Sequence, residues 1–188
     1  MFFSMRIVSA AFLSLICSAT LVSAASAAES AKKSPSPARA DTPRALGTFE
    51  AWTAAVHREG EQTVCYAFTR VRQSTPKLPG RGDVMLSVSM RPQARDVVAI
   101  SVGYTYPPGA EVRLQVEKAS FNLYTAQRSA FARDGHAVVQ AMLKGREAIA
   151  HEPGPRTRSA PKQITDTFSL RGFQAAYAAI LKACPAPR

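Results

Sequence analysis

Three cysteines occur in the chain, and the last two constrain its fold more than any other sequence feature. Cys17 lies in an apolar amino-terminal stretch that we predict below to be cleaved, so the mature protein keeps Cys65 and Cys184. An even pair of cysteines in an exported chain favours one disulfide, here joining the start of the domain to its last helix. Closing so long a loop stabilises a fold by roughly 4–5 kcal/mol in the chain-entropy model, and measured values are often smaller. The alternative is two free or redox-active thiols, although no C-x-x-C motif or metal-ligand spacing surrounds them.

The amino terminus has the three parts of a secretory signal peptide. After a basic start, Ile7–Val22 is mostly apolar and Ala25–Ala27 offers an A-x-A cleavage site. We predict that residues 1–27 are a cleaved signal peptide, and that the mature protein is periplasmic or associated with the outer envelope, without a transmembrane span. The alternatives are a retained membrane anchor and a lipoprotein, the latter disfavoured because Ile16 precedes Cys17 where a small residue is expected.

The rest of the chain divides into a linker and one domain. Residues 28–47 are rich in Pro, Ser and Ala, a composition that predicts a disordered linker. Large apolar side chains begin with Phe49 and Trp52, and we expect residues 48–188 to form a single β-rich domain.

Alternation with a period of two predicts that most of this domain is strand. In one example, Leu86, Val88 and Met90 alternate with serines and an arginine. Turn residues recur at intervals of about 8–12 positions, so we predict a mainly β fold, an antiparallel sandwich or barrel-like domain with one short helix and a carboxy-terminal helix. The predicted strands are Trp52–His57, Thr63–Thr69, Asp83–Arg91, Val97–Tyr106, Glu111–Glu117, Phe121–Thr125, Glu147–His151 and Ile164–Ser169.

Two late segments have helical spacing instead. The first is Asp134–Leu143, for which we predict Asp134 as the N-cap and Gly145 as a left-handed C-cap. The second lies just before Cys184, with Ser169 predicted as its N-cap. Its apolar stripe consists of Phe173, Ala176, Tyr177, Ile180 and Leu181.

The sequence contains no strong signature of catalysis. There is no G-x-S-x-G elbow, and the three histidines lack metal spacing. A trio of His151, Asp166 and Ser169 exists only as a combination on paper. Arg81–Asp83 spells RGD, an adhesive tripeptide in some proteins, but it also opens a predicted strand. We therefore predict neither an enzyme nor a bound cofactor or metal.

The excess of basic over acidic residues is the main sequence evidence about a binding partner. The formal net charge is +11, which attracts anionic surfaces such as anionic lipid, lipopolysaccharide and acidic glycans. Nucleic acid is not expected, since no recognition motif accompanies the charge. The alternative is a solvated surface kept soluble by its charge. The candidate anion-binding residues are Arg70, Arg72, Lys77, Arg81, Arg156, Arg158 and Lys162.

Five segments follow the Trp52 region in order. They are VCYAFTR (Val64–Arg70), GRGDVMLSVSMRP (Gly80–Pro92), SVGYTYPPGAEVRLQVEKASFNLYT (Ser101–Thr125), DGHAVVQAMLKG (Asp134–Gly145) and DTFSLRGFQAAYAAILKAC (Asp166–Cys184). Together they resemble the invasion-associated locus B family of exported bacterial proteins.

This resemblance implies an envelope-associated β-rich protein without known catalysis, and some members are linked to entry into, or survival within, host cells. The conserved cysteines of the family look like Cys65 and Cys184. The chain departs from the family at Glu152–Pro161, whose sequence EPGPRTRSAP replaces a more Gly/Ser-rich loop.

We therefore expect a non-enzymatic envelope protein that binds anionic envelope or host components through basic loops. Two other hypotheses stay open at this point. One is a small periplasmic hydrolase whose site is built from loops. The other is a chaperone or assembly protein that binds envelope proteins through an open sheet edge. The oligomeric state does not follow from the sequence.

Overall fold

The computed structural model describes residues 42–186, all within the compact unit Ser36–Arg188. The predicted signal peptide and residues 28–41 of the predicted linker lie outside the described residues. The described part contains eleven strands and two helices, in the order β1 (Arg44–Phe49), β2 (Trp52–Glu59), β3 (Gln62–Arg70), β4 (Gln73–Thr75), β5 (Met85–Met90), β6 (Val97–Ser101), β7 (Glu111–Val116), β8 (Ala119–Ala126), β9 (Ser129–Ala132), α1 (Gly135–Met142), β10 (Glu147–Pro153), β11 (Gln163–Ser169) and α2 (Phe173–Ala183).

The strands form one antiparallel sheet in the order β1-β2-β3-β5-β6-β9-β8-β7-β10-β11-β4. The sheet curls, because β11 near one end meets the start of β2 near the other. Trp52 Nε1 donates to the Ser169 carbonyl at 2.8 Å, and Ala51 N donates to the Arg171 carbonyl at 3.3 Å. We call this junction the seam. The curled antiparallel sheet with one short and one carboxy-terminal helix confirms the predicted fold class.

Side chains on the inner face of the sheet form the core. On β5, Leu86, Val88 and Met90 are fully buried, as the alternation predicted. Helix α2 covers the first strands and buries Phe173, whose ring centroid lies 4.7 Å from that of Trp52. The predicted stripe of α2 is mostly confirmed, but Leu181 at its end is 37% exposed.

Only one of the three predicted caps is confirmed. Asp134 caps α1 by accepting a hydrogen bond from Ala137 N at 2.9 Å. Ser169 is wrong as the N-cap of α2, because it is the last residue of β11 and the cap is Gly172 at φ 85°. Gly145 is not left-handed; it is needed for close packing, since a Cβ there would lie 2.6 Å from Val116 Cγ1.

Three strands were not predicted. Strand β1 begins at Arg44, inside the segment 28–47 assigned to the linker, and β4 lies in a stretch predicted to be loop. Strand β9 is only Ser129–Ala132. By contrast, one predicted strand is too long, because the strand predicted as Val97–Tyr106 ends at Ser101. These short segments lack a hydrophobic period of their own and are ordered by pairing with their neighbours.

The Cys65–Cys184 disulfide is present, with Cα atoms 6.0 Å apart and 119 residues between the cysteines. Cys65 is fully buried on β3, and Cys184 follows the last turn of α2. The carbonyl of Cys184 also accepts a hydrogen bond from Arg95 Nη2 at 3.0 Å. The bridge therefore fixes the end of α2 to the centre of the first strands.

Replacing both cysteines by alanine should lower the free energy of unfolding by about 2–4 kcal/mol. The reason is that the unfolded chain has more conformational entropy once the cross-link is removed. Urea denaturation of the oxidised protein and the double variant measures the difference. Leu181→Ala, on the exposed side of α2, is the control and should change stability far less. Equal stability of the double variant and the oxidised protein would contradict the role given to the bridge.

Candidate functional site

Four of the seven predicted anion-binding residues line one cavity of about 580 Å³, namely Arg70, Arg72, Lys77 and Arg81. By exposure and pairing the seven residues fall into three groups. Arg70 and Arg72 lie at the seam, and Arg81 lies inside the domain. The remaining four residues lie on loops beyond the far ends of β4, β10 and β11, and we call them the distal basic loops. Their members are Lys77, Arg156, Arg158 and Lys162.

The distal basic loops bring exposed cations to one end of the sheet. Gly154 N donates to the Lys162 carbonyl at 3.0 Å, which closes a loop that carries Arg156 and Arg158 at its tip. Strand β4 pairs with β11, so Lys77 just beyond β4 lies toward the start of β11, where Lys162 is found. Among residues 42–186, no carboxylate forms an ion pair with any of these four side chains.

The seam opens into a cleft of about 610 Å³ between the start of β2, the end of β3 and the end of β11. Sequence reasoning found two of its arginines but missed Arg171, whose position depends on the turn between β11 and α2. Each arginine is held by an exposed carboxylate: Arg70 by Asp83 at 2.6 Å, Arg72 by Glu147, and Arg171 by Glu50 at 2.8 Å. Ala51, Thr53, Phe68, Thr69 and Ser169 complete the lining.

Arg81 differs from the other candidates because its side chain is only 5% exposed. Its Nη2 donates to Asp166 Oδ2 at 2.6 Å and to Glu152 Oε2 at 3.0 Å, and its Nε donates to the Val102 carbonyl at 2.7 Å. Ser74 Oγ donates to the same Asp166 carboxylate at 2.6 Å. The assignment of Arg81 to an anion-binding surface is therefore corrected: its guanidinium is already satisfied inside the protein.

Burial determines the charge states around Arg81. It raises the pKa of Glu152 to about 8, and the charge of Asp166 adds to that shift. Glu152 is thus largely protonated at neutral pH, which leaves Asp166 as the main counter-charge of Arg81. Burial also raises the pKa values of Tyr104 and Tyr106, which lie beside this cluster.

The buried position of Arg81 and Asp166 also excludes two hypotheses from the sequence, namely adhesion through the RGD tripeptide and a catalytic trio. The RGD tripeptide cannot present Arg81 to a receptor, since that side chain faces the core. The candidate catalytic trio of His151, Asp166 and Ser169 does not converge. Asp166 faces inward on β11, whereas Ser169, three residues later, lies on the opposite face of the strand. His151 contacts Thr165 Oγ1 at 3.4 Å rather than either residue.

Within residues 42–186, no group of three His, Cys, Asp or Glu side chains is arranged to hold a metal ion. In the same range, neither helix is long and apolar enough to cross a bilayer.

Replacing Arg81 by methionine should lower the free energy of unfolding by about 3–5 kcal/mol, because it leaves the Asp166 carboxylate buried and unpaired. Arg70→Met breaks an exposed pair of the same kind and should cost at most about 1 kcal/mol. Urea denaturation at pH 7 compares the two variants. Similar losses for both would show that the buried pair has no special role.

The raised pKa of Glu152 predicts a fall in stability with rising pH. Between the unfolded pKa of 4.5 and the folded value of about 8, the folded protein binds the extra proton, so the free energy of unfolding decreases across this window. Arg81 and the two neighbouring tyrosines keep their charge states in this range.

Glu152→Gln should remove this fall, whereas Glu147→Gln on the exposed side of β10 should keep it. Urea midpoints at intervals between about pH 5 and pH 8 give the comparison. Parallel pH profiles for the wild type and Glu152→Gln would contradict the assignment.

Comparisons with known proteins agree with the fold. The crystal structure of invasion associated protein b from Bartonella henselae superimposes with a TM-score of 0.52 and 18% sequence identity, over 73% of this chain and 96% of that chain. At that identity the likeness shows a shared fold alone. No curated protein matches the sequence. The family described as invasion associated locus B (IalB) protein matches residues 52–181, and the chain therefore belongs to this family.

Proposed function

We propose that this protein is a non-enzymatic, exported envelope protein that binds anionic envelope or host components through the distal basic loops. The observation that carries the proposal is the group of four exposed cations at one end of the sheet. Within residues 42–186 these side chains have no acidic partner, so their field acts on the surroundings rather than on the protein itself.

Export and a role in host contact are part of the same proposal. The predicted signal peptide supports secretion, and the Cys65–Cys184 bridge suits an oxidising compartment such as the periplasm. The solved neighbour is described as an invasion associated protein. Contribution to host-cell invasion or to survival under stress is proposed here for this chain by family membership.

The two rival functions have less support. For a hydrolase, the buried Asp166 is held by Arg81 and Ser74 instead of orienting a histidine. For a chaperone that pairs with a client strand, the terminal strands of the sheet are β1 and β4. Strand β1 is interrupted by a bulge between Ala45 and Gly47, and β4 has only three residues. Bulged and very short edges are poor templates for strand addition.

Vesicle binding tests the proposal. The wild type should bind phosphatidylcholine vesicles containing phosphatidylglycerol, bind pure phosphatidylcholine vesicles weakly, and lose binding as salt rises. A variant with the four distal cations replaced by glutamine should bind at least tenfold more weakly, since each basic residue near an anionic surface contributes about 1 kcal/mol. Cosedimentation at low salt measures both.

The matched control replaces Lys118, Lys144, Arg146 and Lys182 by glutamine, which removes the same charge from other exposed positions. It should retain most of the binding. If both variants lose binding equally, net charge alone is responsible and the distal loops are not a site. If the wild type does not distinguish the two kinds of vesicle, the electrostatic proposal is wrong.

A further inference from the structure

The outer face of the sheet over β3, β5, β6 and β9 is unusual for a solvent face, because aromatic rings border a strip of small residues. Phe68, Ser87, Ala99 and Phe131 lie directly opposite one another across these four strands. At ordinary strand spacing the two aromatic positions are roughly 14 Å apart. These four positions therefore form a groove, with an aromatic side chain in each wall and the small side chains of Ser87 and Ala99 at its floor.

Each wall contains more than one ring. Tyr66 stacks on Phe68 with ring centroids 6.0 Å apart, and Tyr124 stacks on Phe131 at 5.6 Å. Tyr124 is 43% exposed, and the other three rings are half-buried. Cavities of about 380 and 290 Å³ lie along the floor and share three lining residues, so they form one groove along the strands. We call it the aromatic groove.

The floor of the aromatic groove is rich in small, hydroxylated side chains. Its lining comprises Ser87, Ser89, Ser101 and Ser129, together with Ala99, Met85 and Val97, and Asp83 lies at the end where Arg70 is found. Small side chains let a flat ligand approach the sheet closely, and the hydroxyl groups can donate and accept hydrogen bonds. A purely apolar ligand would have no use for these hydroxyls.

The aromatic groove runs into the seam cleft. Phe68 and Arg70 line both cavities, so a ligand lying along the groove reaches the arginines of the seam. The cleft is lined by Arg70, Arg72 and Arg171. Their present partners are the exposed carboxylates of Asp83, Glu147 and Glu50. Exposed ion pairs such as those holding these arginines contribute only about 0.2–1 kcal/mol. A ligand carboxylate can therefore replace the present partners at little cost.

We propose that the aromatic groove and the seam cleft together bind an oligosaccharide that carries carboxylate groups. Sugar rings present apolar C–H faces that stack on aromatic rings, and their hydroxyl groups match the serine floor. Uronic-acid carboxylates match the guanidinium groups, which bind carboxylates in a planar, bidentate geometry. This inference deepens the proposed function, because it names the class of anion and a second site, which meets the distal basic loops at the cavity that Lys77 lines with Arg70 and Arg72.

Isothermal titration at low salt tests the inference with two soluble probes of equal length. A hyaluronan hexasaccharide alternates a uronic acid with N-acetylglucosamine, whereas chitohexaose contains N-acetylglucosamine alone. We expect saturable binding of the hyaluronan hexasaccharide and at least tenfold weaker binding of chitohexaose. Equal binding of both probes, or binding of neither, would overturn the inference.

Two variants locate the site. Arg171→Gln changes an exposed cleft residue, and Phe131→Ser removes one aromatic ring from a wall of the groove. Each should weaken binding of the hyaluronan hexasaccharide at least fivefold. Lys182→Gln removes one charge elsewhere on the surface and should leave it unchanged. If Arg171→Gln behaves like Lys182→Gln, the cleft is not the site, whatever Phe131→Ser does.

The distal-loop variant separates this inference from the proposed function. It should lose vesicle binding and keep oligosaccharide binding, whereas Arg171→Gln should do the reverse. Loss of oligosaccharide binding in the distal-loop variant alone would assign the acidic sugar to the loops, so the inference would fail while the proposed function stood.

Discussion

The interaction on which the rest of this fold depends is the buried ion pair between Arg81 and Asp166. A guanidinium at that depth is stable only when carboxylates and carbonyl groups satisfy it. Here β11 supplies Asp166, β10 supplies Glu152, and the chain after β6 supplies the Val102 carbonyl. Because these acceptors come from distant parts of the sequence, one side chain fixes the long connection between β4 and β5 against the far side of the curled sheet.

Three environments give chemically identical arginines three different roles. Arg81 is buried and fully paired, so it stabilises the fold and contacts no partner. The seam arginines are paired with exposed carboxylates, and such pairs are exchangeable because water screens both charges. Arg156 and Arg158 have no acidic partner among residues 42–186 and are available to an anionic surface. The function proposed for this family member depends on that difference in environment rather than on the total charge.

Regular elements were predictable from the sequence where the pattern was long. The alternation of β5 and β7 and the stripe of α2 correspond to elements that bury one face. Strands β1, β4 and β9 were missed because pairing, rather than their own composition, orders them. For the candidate site, the sequence named Arg70 and Arg72 as candidates, but it could not show that Arg171, about a hundred residues later, lines the same cleft.

By itself, the sequence determined the β-rich class, the single pair of cysteines available for a bridge, and the excess of positive charge, since each depends on residue type and local spacing. Only the tertiary structure decided which cations face solvent, which one lies in the core, and which aromatic side chains border a common groove. The physical reason is that burial and pairing depend on residues far apart in the chain, which come together only when the sheet curls and closes its seam.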